Sequence, residues 1–110
     1  MSTPMIANLE KLLGGPRDGA LLRYSLGNEH LKAGNPAGAA ARFREATERD
    51  PHYSAAWKLL GKALAESGDA EGAMAAYTQG IAVAEMRGDV QATKEMRVFL
   101  KRLQKAAAGG

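Results

Sequence analysis

Few side chains in this sequence could act as nucleophiles, metal ligands or proton relays. Cysteine is absent from the 110 residues, which excludes thiol catalysis, disulfides and cysteine-based zinc sites. The two histidines, His30 and His52, fall in different predicted elements, and neither has an acid pair spaced for a metal or a relay. The two Gly-Gly pairs lack the strand and helix context of a phosphate-binding loop. We therefore expect no enzymatic activity, no cofactor and no bound metal.

Two sets of residues could instead bind a polypeptide, because a four-then-three spacing places each set on one face of a helix. The sets are Tyr24, Asn28, Leu31 and Lys58, Lys62, Ala65. Lysine ammonium groups bind carboxylates, asparagine can hydrogen-bond to a peptide backbone, and tyrosine offers a flat surface with a polar end. These faces predict a groove that selects an acidic peptide, unless the lysines form only a solvated face.

The length and composition indicate one ordinary globular domain. A chain of 110 residues matches the roughly 100 to 150 residues of a compact domain. Hydrophobic residues make up 45% and charged residues 25%, a balance that argues against a disordered chain and against a membrane protein. No apolar run approaches the roughly 20 residues that span a bilayer, and residues 1–13 include charged side chains. We expect no signal peptide and a cytoplasmic location.

The net positive charge is concentrated near the C-terminus. The formal net charge is +3, and residues 90–108 carry five basic side chains against one acid. This segment could bind nucleic acid, but it has only Phe99 as an aromatic and no base-reading motif, so nucleic-acid binding is the second and weaker hypothesis. A further alternative is weak self-association of an otherwise monomeric chain through Leu21, Tyr24 and Leu31.

A period of 34 residues runs through the middle of the chain. Placing residues 20–53 above residues 54–87 aligns small residues with small ones and aromatic residues with aromatic ones. The aligned pairs are Leu26-Gly27 with Leu60-Gly61, Gly34-Asn35 with Gly68-Asp69, Gly38-Ala39 with Gly72-Ala73, Phe43 with Tyr77, and Ala46 with Gly80. Such a period is typical of architectures in which each unit packs on its neighbours.

Each unit is predicted to be a hairpin of two helices. Gly34 ends the first helix of the first unit, and Asn35 with the following proline opens the second. In the second unit, Ser54 is expected to cap the first helix, and Asp69 the second helix after Gly68.

Small residues mark the points where the paired helices are predicted to cross. Glycine inside a helix costs about 1 kcal/mol relative to alanine, so its use there needs a compensating contact. A side chain larger than methyl would hold two helix axes apart. Gly27, Gly61 and Gly80 therefore predict close helix packing.

These motifs resemble the tetratricopeptide repeat family, whose signature is Trp, two residues, Leu-Gly, two residues, Tyr, then Ala, three residues, Phe, and finally Pro. The second unit reads Trp57-x-x-Leu60-Gly61-x-x-Leu64 and then Ala73-x-x-x-Tyr77; the first reads Arg23-x-x-Leu26-Gly27-x-x-His30, then Ala39-x-x-x-Phe43, and ends with Asp50-Pro51. Arg23 and His30 depart from the signature, which predicts looser packing there. Glu85 replaces the last proline of the second unit, which predicts a second helix extending to about Arg87.

The resemblance implies an all-α fold of about six helices, in which antiparallel hairpins stack as a short right-handed superhelix. It also implies an adaptor or scaffold that binds another protein or peptide along a groove lined by the first helix of each repeat. The groove positions of this sequence are Leu21, Tyr24, Asn28, Leu31 and Lys32, then Ala55, Lys58, Lys62, Ala65 and Glu66. The last helix would add Gln91, Lys94 and Lys101.

Atypical helices are expected to cover both ends of the stack, because two hairpins alone would expose apolar faces. The predicted domain spans 1–110. It consists of a capping helix over 3–13, repeats over 20–53 and 54–87, a C-terminal capping helix over 89–107, and a frayed tail over 108–110.

Overall fold

The structure, a computed structural model, describes residues 3–109, and in that range it forms six α-helices. They are α1 Pro4–Glu10, α2 Ala20–Lys32, α3 Pro36–Arg49, α4 Ser54–Glu66, α5 Ala70–Arg87 and α6 Val90–Gly109. Consecutive helices pack on one another, and α4 also contacts α6. The predicted all-α stack of helical hairpins is confirmed. Within the described range, no helix combines the length and the hydrophobicity needed to cross a membrane.

Side-chain caps begin four of the helices at the residues that the sequence indicates. A side-chain oxygen accepts a hydrogen bond from the backbone N–H three residues later at each of these positions. The pairs are Thr3 with Ile6 (3.1 Å), Asn35 with Gly38 (3.0 Å), Asp69 with Gly72 (2.8 Å) and Asp89 with Ala92 (3.1 Å). Gly34 and Gly68, with φ of 76° and 93°, follow the ends of α2 and α4, the first helix of each repeat, in the left-handed conformation that glycine tolerates.

Three helix ends differ from the sequence prediction. Ser54 is the first residue of α4 and not its cap; Tyr53 occupies the cap position without a side-chain cap bond. The first helix ends at Glu10 and not at residue 13, because the amides of Leu12 and Leu13 bond three residues back, to Leu9 O at 3.0 Å and Glu10 O at 3.1 Å, and form turns. The tail predicted to fray is helical to Gly109, since alanine has the highest helix propensity. Gly110 lies outside the described residues.

Each hairpin is closed by an aromatic ring lying against a glycine. A methyl group built on Gly27 would lie 2.5 Å from Phe43 Cε1, and one on Gly61 would lie 2.6 Å from Tyr77 Cε1. Real contacts of this kind are not that short, so both rings occupy the space that a larger residue would need. The predicted close crossing of the paired helices is confirmed at both glycines.

Helix α6 takes the place of the first helix of a third hairpin. Met96 is fully buried, as are Leu26 and Leu60 in the repeats, and a methyl group on Gly80 would lie 2.5 Å from its sulfur. The residue after Met96 is Arg97, where the repeats have glycine. Arg97 is exposed and forms an ion pair with Glu85, so this face of α6 presents charge where another helix would have to pack.

Packing around Arg23 is tight, although the sequence predicted it to be loose. The guanidinium donates from Nε and Nη2 to Asp18 (2.9 and 2.7 Å) and from Nη1 to Glu45 (2.8 Å), and only 12% of the side chain is exposed. Arg42 also donates to Glu45, at 3.0 Å. Hydrogen bonds from Arg23 and from the Gly14 N–H hold the pKa of Asp18 well below its usual range. The network joins the loop after α1 to α2 and α3.

Replacing Gly61 with alanine should destabilise the protein even though alanine favours helices. The added methyl group overlaps the Tyr77 ring, and overpacking of this kind costs about 1 to 3 kcal/mol. Chemical denaturation followed by circular dichroism measures the change. In a Tyr77→Leu background, which provides space, the same substitution should be neutral or stabilising by up to about 1 kcal/mol. An equal loss in both backgrounds would contradict the ring contact as the cause.

Replacing Asp18 with asparagine should change how stability depends on pH. The folded-state pKa of Asp18 lies below its unfolded value of about 3.9, so the carboxylate stabilises the fold above that pH and this contribution disappears as the pH falls below it. We expect Asp18→Asn to lower the free energy of unfolding at about pH 7 and to approach the wild type at about pH 2. Urea unfolding across this range measures it, with Glu71→Gln as the exposed control. A difference independent of pH would refute this role.

Candidate functional site

Two contacts join α2, α4 and α6 into one surface, here called the groove face. The Tyr24 ring of α2 stacks on Tyr53, at the start of α4, with 4.8 Å between ring centroids. Lys58 Nζ of α4 donates to Glu95 Oε1 of α6 at 3.1 Å. The groove face consists of the outward residues of the three helices, namely Leu21, Tyr24, Asn28, Leu31, Lys32, Ala55, Lys58, Lys62, Ala65, Glu66, Gln91, Lys94, Val98, Lys101 and Arg102.

The α2 part of the groove face is mostly an apolar wall. Tyr24 and Leu31 are half-buried and pack against the hydrophobic core, and the Tyr24 ring also lies 5.7 Å from that of Phe43. Leu21 is 68% exposed. The patch that could serve self-association is therefore smaller than the sequence suggested, since only Leu21 of the three residues is largely free.

The two polar residues expected on α2 differ in their environment. Asn28 is half-buried on the same helix face as Tyr24. Lys32 is exposed, and its ammonium group lies 3.2 Å from Glu29 Oε2. This ion pair lies along one exposed helix edge, so it restrains Lys32 only weakly.

The lysines of α4 and α6 fall into two groups. Lys58 is half-buried and already occupied by Glu95, so it does not offer a free ammonium group. Lys62, Lys94 and Lys101 are exposed, and among the ion pairs of residues 3–109 none involves them. The resemblance implies that all four lysines line one groove; three of them are free of ion pairs within residues 3–109.

Sequence reasoning missed four residues on or beside this surface, one of which is the exposed Val98. Tyr53 was given no role, yet its ring extends the Tyr24 wall, and burial raises the pKa of its hydroxyl. Glu95 was counted only as the lone acid of a basic segment. Arg102 follows Lys101 and lines a small cavity with Ala65. Arg102 could have been predicted, because it directly follows the groove residue Lys101, as Glu66 follows Ala65. The pairing of Glu95 with Lys58 could not, because it depends on the register of α6 against α4.

The two histidines lie in different environments. His30 is half-buried, with Nδ1 3.3 Å from Asn35 Nδ2, and burial together with the nearby Arg42 charge lowers its pKa. His52 is exposed in the turn before α4. Within residues 3–109, no three histidine or acidic side chains come together in a way that could hold a metal ion.

Several known proteins are similar to this chain. A family model described as Tetratricopeptide repeat matches residues 24–89. A TPR repeat-containing protein of Pseudomonas aeruginosa is 51% identical over 102 residues, covering 93% of this chain and 97% of that protein. The solution structure of a Bordetella parapertussis protein is 40% identical, covers 97% of this chain and 93% of its own, and superposes with a TM-score of 0.80.

A crystal structure extends the comparison to a third organism. The tetratricopeptide repeat domain protein of Salinibacter ruber is 32% identical, covers 79% of this chain and 97% of its own, and gives a TM-score of 0.72. The identities, the coverage and the glycine-centred hairpins agree. The chain therefore belongs to the tetratricopeptide repeat family, whose repeats are generally protein–protein interaction modules.

Proposed function

We propose that this protein is an adaptor that binds an acidic peptide or partner helix along its groove face. The observation that supports the proposal is that Lys62, Lys94 and Lys101, at the predicted groove positions, are exposed and take part in none of the ion pairs within residues 3–109. An ion pair with a partner would cost these lysines no existing internal contact. The family and fold are typical of scaffolds without enzymatic activity, which agrees with a binding role.

The charge balance of α4 and α6 favours a negatively charged partner. Their groove residues and the neighbouring Glu95 comprise five cations against two acids. The cations are Lys58, Lys62, Lys94, Lys101 and Arg102, and the acids are Glu66 and Glu95. At about 0.1 M salt, charges separated by more than about 10 Å are screened, so only partner carboxylates close to this face would benefit.

Apolar residues on the same face favour a partner that is not purely charged. Val98 is 48% exposed and lies between Lys94 and Lys101 at four-then-three spacing, on a single side of α6. Leu21 is exposed on α2. An amphipathic segment that alternates acids with apolar side chains would bury both while pairing with the lysines.

Reversing two free lysines should weaken binding of an acidic peptide. We expect Lys62→Glu with Lys101→Glu to reduce the affinity for a labelled peptide of alternating aspartate and serine by about tenfold, because each change replaces an attraction with a repulsion. Fluorescence anisotropy at low and moderate salt measures it.

The matched control carries the same change of charge elsewhere. Arg17 and Arg44 are exposed, Arg17 in the loop after α1 and Arg44 on α3, and both lie outside the groove face. Arg17→Glu with Arg44→Glu should leave the affinity within about twofold of the wild type. Equal weakening by both pairs would show that overall charge, not the groove face, attracts the peptide. Tighter binding of duplex DNA than of the peptide at the same salt would favour nucleic acid instead.

Neutralising Glu95 should strengthen binding of the same peptide. The Glu95 carboxylate pairs with Lys58, and a surface pair is worth about 0.2 to 1 kcal/mol, so its removal frees the half-buried Lys58 at a small cost. We expect Glu95→Gln to raise the affinity about threefold. Glu85→Gln changes charge equally and breaks the pair with Arg97, outside the groove face, and it should have a smaller effect. Equal affinities for Glu95→Gln and the wild type would argue against competition at Lys58.

A further inference from the structure

A small cavity opens where α4, α5 and α6 meet, and the proposed function does not account for it. Its volume is about 160 Å³, and it is lined by Ala65, Tyr77, Phe99, Arg102 and Leu103. All of these contribute apolar surface except the Arg102 head group. An apolar cavity of about 150 Å³ is large enough to bind benzene. The space is therefore sufficient for one leucine, methionine or phenylalanine side chain.

The walls of this cavity are held in place by the core. The Tyr77 ring lies against Gly61 and is almost fully buried, and the Phe99 ring packs on it with 5.6 Å between centroids. Burial and the nearby Glu66 carboxylate raise the pKa of Tyr77 to about 12, so the ring stays neutral. An incoming side chain would meet a preformed surface and would not have to order it.

One difference between the two repeats contributes to the space in this cavity. Ala65 lies 34 residues after Leu31, at the same place of its helix. The Leu31 side chain packs against the core at its position, whereas alanine at 65 leaves the corresponding volume open. The second repeat is thus missing a side chain that the first repeat provides.

Charge at the rim indicates what accompanies the missing side chain. Arg102 lines the cavity, and the exposed Lys62 lies one turn before Ala65 on α4. Glu66 follows Ala65, and its carboxylate lies near Tyr77. Two cations against one acid favour a partner carboxylate beside the inserted apolar group.

We propose that this cavity takes one apolar side chain from the bound partner, and that Arg102 pairs with a carboxylate adjacent to that side chain. The proposal rests on the proposed function, because it names the chemistry of the same partner. It defines the recognised segment as an acidic stretch containing a leucine, methionine or phenylalanine. Specificity would come from the cavity, while the lysines attract acidic segments in general.

Two labelled peptides test the proposal. One alternates aspartate with serine, and the other has the central serine replaced by leucine. We expect the wild-type protein to bind the leucine peptide about tenfold more tightly, which corresponds to about 1.4 kcal/mol. Ala65→Leu should reduce this preference to about twofold or less, measured as the ratio of the two peptide affinities in the same variant, because leucine at 65 occupies the cavity.

The outcomes separate the cavity from the groove. Equal binding of both peptides by the wild type would overturn the cavity proposal and leave the proposed function standing, whereas binding of neither would overturn both. If Ala65→Leu still preferred the leucine peptide, the leucine side chain would bind somewhere other than this cavity. Circular dichroism checks that this variant folds, and Leu103→Gln gives a second perturbation, since a polar wall should also reduce the preference. Arg102→Gln should weaken the leucine peptide more than the serine peptide.

Discussion

Contact between a glycine in one helix and a large side chain of its neighbour is the constraint on which the rest of this fold depends. Gly27 lies against Phe43, Gly61 against Tyr77, and Gly80 against Met96. Each glycine costs about 1 kcal/mol of helix propensity, and burial of a large apolar side chain returns about 1.5 to 3 kcal/mol. Because the paired helices approach so closely, their crossing geometry has little freedom. The alignment of α2, α4 and α6 into one face follows from it.

Local features of the fold were predictable because they depend on nearby residues. A cap such as Asn35 needs only an amide three residues later, and a period of 34 is visible without any structure. Errors arose where a local rule had a competitor. The Ser54 hydroxyl could cap a helix, but Tyr53 occupies the cap position of α4, and its ring stacks on Tyr24. Arg23 breaks the family pattern, yet partners both near and distant in sequence, Asp18 and Glu45, hold it.

The candidate site was predictable as a surface but not as a set of available groups. Helical spacing placed Lys58 and Lys62 on one helix face, and the family resemblance added Lys94 and Lys101. Whether a lysine is free depends on its neighbour across the groove. Lys58 and Glu95 are 37 residues apart, and they meet because α6 packs beside α4. The register of this packing differs from that between the repeats: Met96 follows Leu60 by two residues more than Leu60 follows Leu26. Sequence spacing within a helix does not contain that register.

The charge at Arg97 has a meaning for assembly. Stacked repeats are head-to-tail contacts, and a head-to-tail contact that does not close into a ring continues into a filament. With a glycine after Met96, α6 would leave the same space for a large side chain that Gly27 and Gly61 leave for an aromatic ring. A side chain from a second copy could then pack there. Arg97, paired with Glu85, instead presents a hydrated ion pair whose burial would be unfavourable. One side chain thus makes head-to-tail stacking of a second copy on this face of α6 less favourable.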